Sequence, residues 1–281
     1  MSPANPKVIV LRTAGTNCDQ ETVFAFKSFG ADVVLVHINR LLSKEVSLAD
    51  YHILAIPGGF SYGDDIIAGR ILANELRFKL GESIKKFIHD GKLIIGICNG
   101  FQVLVRAGIL PGQNDPKDIP LQQTSTLTYN DSGKFEDRWI HLRLEGRSVW
   151  TQGLDKIIFL PVAHGEGKFM VQNNDLLKQL QNNQQIVFRY CSPDGGAPKY
   201  PENPNGSLDH IAGITDVTGR ILGLMPHPER HFLFTQHPFW TRLAKKTQYG
   251  VGAKIFENGI KYVRGKLLKS DHIELISVNK N

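Results

Sequence analysis

KLIIGICNGFQVLVRAG, residues 92–108, decides the fold. Its first six residues form an apolar run without alternation, the pattern of a strand covered on both faces. A Gly-Ile-Cys-Asn-Gly turn follows, and residues 98–108 read as a helix that Gly108 stops. A strand that passes straight into a helix through a glycine turn belongs to a βαβ unit.

The flanking sequence repeats that unit. Residues 7–13, 31–38 and 51–59 are further β-rich runs, and 17–30 and 74–91 read as helices. Alternating strands and helices predict an α/β doubly wound, mostly parallel sheet. In the second half, 124–130, 138–144, 156–162, 185–190, 209–216 and 220–225 predict strands added antiparallel to the same sheet. Residues 192–207 are a loop dense in Pro, Gly and Asn, and 237–268 read as helical around a central YGVG break. With no internal repeat or low-complexity linker, residues 1–281 are expected to form one domain.

Bulk properties narrow the function classes. Of 281 residues, 41% are hydrophobic, and no apolar run approaches the roughly 18–20 residues that span a bilayer. MSPANPKVIVLRTAG lacks an apolar signal core, so a cytoplasmic protein without membrane association is expected. The three cysteines are dispersed, with no C-x-x-C pair, and the ten histidines are scattered; neither a disulfide framework nor a metal site is expected. The net charge of +6 is concentrated after residue 240. Without a nucleic-acid motif it reads as a solvated or protein-docking face.

A G-x-Cys-x-G turn between strand and helix is a nucleophile elbow. The sharp turn strains Cys98 and exposes it above the sheet, and Gly96 and Gly100 allow strand and helix to pack closely. Free N–H groups at the helix start favour negative charge there and offer the Asn99 N–H to an oxyanion. The rival reading is a small buried core cysteine. RILGLMPHPERH, residues 220–231, supplies a candidate base. His227 is stiffened between two prolines, and Glu229 could orient its ring as in a catalytic triad; a surface His–Glu pair fits the spacing equally. The IPGG turn at 56–59 lets backbone approach a substrate, and Gly59 is the candidate second oxyanion donor. A phosphate loop is the rival there, but no lysine with Ser/Thr follows at P-loop spacing.

PGG, GICNGFQ and PHPE in this order resemble the class I glutamine amidotransferases, which hydrolyse glutamine to glutamate and ammonia with a Cys-His-Glu triad. GTNCDQE (15–21), PGGFSYGDD (57–65), PVAHGEGKF (161–169), NPNGS (203–207), IAGI (211–214) and MPHPER (225–230) resemble one branch of that family, the glutaminase components of phosphoribosylformylglycinamidine synthases of purine biosynthesis. The resemblance implies a flavodoxin-like sheet, with Cys98 as nucleophile, His227 as base and acid, and Glu229 as its orienting carboxylate. Gly59 and Asn99 would form the oxyanion hole, and Gln102, His164, Gly165 and Glu166 would border the glutamine pocket. Spacing alone fits a structural turn at 163–167 equally.

The resemblance further implies an ATP-dependent synthetase large subunit as partner, with or without a small bridging subunit. That partner would use ATP and Mg to turn formylglycinamide ribonucleotide into the amidine, leaving this chain without cofactor or metal. Insertions near 112–145 and 231–250 and a C-terminal helical extension depart from the family's shorter form. Cys18 and Cys191 read as structural or partner-contacting, while Asp64 and Asp65 are either solvated or meet the partner. Another cysteine hydrolase on the same sheet and a non-catalytic glutamine-sensing subunit are the rival functions.

Overall fold

The structure is a computed structural model that describes residues 4–64, 67–112, 121–244 and 246–269. Eleven strands form within it. They are β1 (Lys7–Arg12), β2 (Asp32–His37), β3 (Ile53–Ile56), β4 (Leu93–Ile97), β5 (Ser125–Thr128), β6 (Glu136–Leu144), β7 (Ile157–His164), β8 (Lys168–Val171), β9 (Ile186–Cys191), β10 (Ile211–Thr215) and β11 (Ile221–Leu224). Nine of them make one sheet in the order β2-β1-β3-β4-β11-β10-β9-β6-β7, while β5 and β8 pair separately.

The first five strands in that order are parallel. Their order is the doubly wound one, with the winding reversing beside β1. β3, β4 and β11 are buried along their whole length, as their unbroken apolar sequences require. From β11 onward the neighbours β10, β9, β6 and β7 are antiparallel. The sheet is thus half parallel and half antiparallel. The run at 220–225, expected as an antiparallel addition, is instead the fifth parallel strand and joins the two halves.

The antiparallel half curls. Four inter-strand spacings of about 4.8 Å would place β7 roughly 19 Å from β11 in a flat sheet. Yet the Pro161 carbonyl of β7 accepts the His227 N–H just beyond β11 at 2.8 Å, and the Phe159 carbonyl lies 3.0 Å from Nδ1 of His231. Accumulated twist has brought the far edge of the sheet back over the carboxyl ends of the parallel strands.

Among the described residues seven α-helices accompany the sheet: α1 (Asp19–Lys27), α2 (Ile38–Leu42), α3 (Arg70–Asn74), α4 (Gly81–His89), α5 (Asn99–Arg106), α6 (Asn174–Asn182) and α7 (Ala253–Tyr262). The helix expected at 74–91 is divided, because a wide turn over Glu75–Lys79 and the non-helical Leu80 separate α3 from α4. Residues 237–244 and 246–249, expected as helix, hold a short 3₁₀ turn at Trp240–Arg242 and otherwise irregular chain. Aromatic packing holds that segment: His231 meets Trp139 of β6 edge to face, His237 packs on the same ring at a tilt, and Phe232 packs on Phe24, Phe29 and Tyr249. α6 and β8 were not foreseen. α7 begins within the expected C-terminal helix and meets α1 through Phe26 and Phe256, whose ring centroids are 5.0 Å apart. None of the described helices is long and apolar enough to cross a membrane.

α5 packs on β3, β4 and β11, and two glycines set the distance. A Cβ on Gly96 would lie 2.6 Å from both the Gly100 carbonyl oxygen and Leu104 Cδ1, and one on Gly100 would lie 1.9 Å from the Ile56 carbonyl oxygen. The backbones themselves are in contact, so no side chain can yield. Gly100→Ala is therefore expected to lower unfolding free energy by about 3 kcal/mol, at or beyond the upper end of ordinary overpacking. Gly265, whose Cβ would meet nothing within 4 Å, is the control: Gly265→Ala should be neutral or stabilising by up to about 1 kcal/mol. Urea denaturation of both variants checks the contrast, and equal effects would contradict the packing described.

Candidate active site

In a parallel sheet the carboxyl ends of adjacent strands share one edge. β1, β3, β4 and β11 are consecutive neighbours. The loops that follow them, 13–18, 57–64, the turn at 98 and 225–229, therefore converge whatever their separation in sequence.

Cys98 follows β4 directly. Its φ of 51° and ψ of −105° lie outside the ordinary helical and extended regions, so the strain expected of the elbow is present. The Cys98 N–H donates to the Leu224 carbonyl at 2.8 Å, tying the turn to β11. Its Sγ lies 3.6 Å from the Ala163 carbonyl of β7.

His227 and Glu229 are both buried, which removes the surface-pair reading. Nδ1 of His227 lies 2.5 Å from Oε1 of Glu229, leaving Nε2, buried without another partner among the described residues, as the nitrogen available to the thiol. Burial alone would push the His227 pKa down. The Glu229 carboxylate, then the sulfurs of Cys98 and Cys18, outweigh it and hold the pKa well above its ordinary value. Imidazolium is thus favoured beside Cys98, as a thiol–base pair requires.

Two backbone N–H groups, the candidate oxyanion donors, have no hydrogen-bond acceptor among the described residues. Asn99 is the first residue of α5, and its N–H has no acceptor within the helix. Gly59 forms an isolated antiparallel bridge with Thr16. The bonds of that bridge are made by its neighbours, Asn17 N–H to the Gly58 carbonyl at 3.4 Å and Phe60 N–H to the Gly15 carbonyl at 2.9 Å. The N–H of Gly59 is therefore not consumed. With φ of +142° and backbone of residues 15–17 within 2.7–2.9 Å of where a Cβ would lie, only glycine fits there.

Gly59, Cys98, Gln102, His164, Gly165 and Glu166 line one cavity of about 150 Å³, whose other walls include Asp64, Ala68 and the aromatic rings of Phe60, Tyr129 and Phe135. At about 30 Å³ per liquid water, this is room for a small molecule, not a folded peptide segment. All of the expected pocket residues meet there. Gln102 is already partly engaged. Its amide donates to the Glu166 carbonyl oxygen and accepts from Asn99 Nδ2 at 2.9 Å, leaving one N–H and one lone pair for a ligand. The Glu166 carboxylate accepts from Arg106 at 3.3 Å and from the Ala68 N–H at 3.4 Å. His164 is clamped between Asn130 Oδ1, 3.1 Å from Nδ1, and Asn205 Nδ2, 3.5 Å from Nε2. Those partners fit a neutral ring protonated on Nδ1. Burial first, then the neighbouring His227 charge, pushes its pKa down to about 3.

Cys18 is buried beside the candidate base: its sulfur sits 3.9 Å from Nδ1 of His227 and 3.2 Å from the Arg230 guanidinium. Possible ligand atoms of Cys18, His227 and Glu229 lie within 4.8 Å of one another, the one such cluster among the described residues. Arg230 already places positive charge on its sulfur corner. Cys191 is buried at the end of β9. Asp64 enters the cavity wall, whereas Asp65 lies outside the described residues. Arg106, Asn130 and Asn205 went unnoticed in sequence. The only signal was the NPNGS string, whose Asn205 is fully buried between Tyr190 and His164.

Residues 5–263 match the family described as CobB/CobQ-like glutamine amidotransferase domain. The chain is 50% identical over 264 residues to phosphoribosylformylglycinamidine synthase subunit PurQ of Dehalococcoides mccartyi, covering 92% of this chain and 98% of that protein. It is 42% identical over 268 residues to the protein of the same name in Archaeoglobus fulgidus, covering 92% and 97%. Among solved structures it resembles a chain in that of PurLQS from Thermotoga maritima, with 30% identity, a TM-score of 0.69, and coverage of 92% of this chain and 100% of that one.

The neutral His164 has a measurable consequence. Folded, the ring takes a proton only near pH 3; unfolded, near 6.5. Its contribution to stability is complete above pH 6.5 and is lost as pH falls from there toward 3, at about 1.4 kcal/mol per pH unit. His164→Gln should flatten the stability–pH slope between pH 6.5 and 5 by about that amount relative to the unmodified chain, as urea melts would measure. Parallel slopes would mean that the ring is not held neutral.

Proposed function

The chain belongs to the CobB/CobQ-like glutamine amidotransferases and, within them, to the phosphoribosylformylglycinamidine synthase subunits, and we propose that Cys98, His227 and Glu229 are its hydrolytic machinery for glutamine. The observation that carries this reading is the strained Cys98 at the cavity floor, interacting with a buried imidazole that Glu229 holds at 2.5 Å.

The Cys98 sulfur, its proton already on Nε2 of the His227 imidazolium, attacks the side-chain amide carbon of glutamine. Negative charge develops on the amide oxygen and meets the N–H groups of Gly59 and Asn99; removal of one such donor commonly costs about 10²–10³ in rate. His227 returns the proton to the departing nitrogen, which leaves as ammonia and a Cys98 thioester remains. A water then gives its proton to His227 and attacks the thioester, releasing glutamate and restoring the thiol. Glu229 keeps Nδ1 protonated, so that Nε2 is always the nitrogen facing the sulfur.

Ammonia made this way would serve a synthetase partner. The relatives' name as a synthase subunit and the neighbour's place in a structure of PurLQS support that reading. In it, the partner converts formylglycinamide ribonucleotide to the amidine and holds the ATP and Mg, while this chain works without a cofactor in the cytoplasm.

In the complex with that synthetase, Cys98→Ser should abolish glutamine-dependent synthesis and leave synthesis from added ammonium salts intact. Steady-state amidine formation with each nitrogen source measures both. Loss of both activities would assign Cys98 to assembly and not to catalysis.

A further inference from the structure

Two carboxylates line the cavity above Cys98, and they differ in one respect. Glu166 is compensated: the Arg106 guanidinium is 3.3 Å away and the Ala68 N–H also donates to it. Asp64 forms no ion pair among the described residues. Its carboxylate receives only neutral donors, Asn99 Nδ2 at 3.3 Å and the Gly69 N–H. A half-buried carboxylate left without a cation costs free energy that a cationic ligand would recover. The cavity supplies no other negative charge that is not already offset.

Free glutamine carries such a cation. A pocket that takes the free amino acid must strip water from its α-ammonium group, which a glutamine within a peptide lacks. We propose that Asp64 is the acceptor for that α-ammonium group, and so the residue that selects free glutamine over other primary amides. This rests on the glutaminase reading and extends it to the end of the substrate away from the reacting amide. The backbone carries Asp64 into the wall through an unusual run, Tyr62, Gly63 and Asp64 all having positive φ. Asn99 ties the loop down, accepting from the Ser61 N–H at 3.2 Å while it donates to Asp64 and Gln102. The residue after the nucleophile thus sets the position of the ammonium acceptor relative to the sulfur. Burial, reinforced by the nearby Glu166 charge and only partly offset by Gly69, Asn99 and Arg106, pushes the Asp64 pKa up to about 6 when the pocket is empty.

The test compares glutamine with glutaramate, which has the same amide and carboxylate but no α-amino group, using the full chain in complex with its synthetase. Asp64→Asn keeps the shape and one acceptor oxygen, enough for the bond from Asn99, but removes the charge. It should raise KM for glutamine by roughly tenfold to a hundredfold with kcat little changed, and leave glutaramate hydrolysis nearly as it was. Equal losses on both substrates, or an unchanged preference, would overturn the assignment. A chain without substitution that prefers glutamine but whose Asp64→Asn form does not fold is read through pH instead. Its ratio of kcat/KM for glutamine to that for glutaramate should fall as pH drops below about 6, because kcat/KM reports ionisations of the free enzyme and both substrates share the chemistry at Cys98. A ratio that stays constant from pH 5 to 7 refutes the proposal. Failure of the unsubstituted complex to hydrolyse glutamine at all would instead overturn the glutaminase reading itself, and the Asp64 assignment with it.

Discussion

Helix α5 starts where it does because Gly100 presents no side chain to the carbonyl of Ile56, and the remaining geometry follows from that contact. It seats the helix on β3 and β4 closely enough for the turn between β4 and α5 to collapse to a single strained residue. A wider approach would allow a relaxed loop, and a relaxed loop would not hold a sulfur at a fixed height above the sheet. The strain at Cys98 is sustained by two backbone contacts, Gly96 against Gly100 and Gly100 against Ile56, and by the bond from its own N–H to Leu224. Packing, not catalysis, sets the elbow; its chemical use is secondary to a steric fact.

Around that point the site divides into two kinds of support. Parallel strands supply the candidate nucleophile, the candidate base and the candidate oxyanion donors, each at a carboxyl end. The curled antiparallel half supplies the roof, with Ala163 and His164 of β7 facing the cavity. The two halves meet at His227, whose N–H is held by β7 while its ring is held by Glu229. Asn99 plays the same joining part on the other side, linking Ser61, Asp64 and Gln102. Two residues therefore carry most of the registration between sheet, helix and loops.

What could be read from sequence follows a physical division. The β4 turn, Gly96, Gly100, the stiff Pro-His-Pro loop and the strand–helix alternation are local features, and each was found in place. The curl of β7, the partners of His164 and the approach of Cys18 to His227 depend on residues tens to hundreds of positions apart, and no local pattern encodes them. Cys18 and His227 are 209 residues apart in sequence. The shared edge of β1 and β3 and its proximity to β11 close that gap. Asp64 was left between two readings because its charge is ordinary in sequence, and only the absence of an ion-pair partner among the described residues makes it notable. Residues 237–249 misled for the opposite reason. Their composition suits a helix, but at its two ends His237 is committed to Trp139 and Phe159 and Tyr249 to Phe29 and Phe232, which a regular helix could not reach together.

The position of β11 has a consequence for how the molecule comes into being. It is the last strand among the described residues yet lies between β4 and β10 in the middle of the sheet. Until it inserts, both of those strands present open edges that can pair with another chain. Cys98 meanwhile sits at the end of β4 without its histidine. The closing strand brings His227 and Glu229 with it, so removal of an aggregation hazard and arrival of the candidate base are one event. A nascent or truncated chain that lacks β11 would carry the sulfur but not its activation, and reactivity would begin only with the completed sheet.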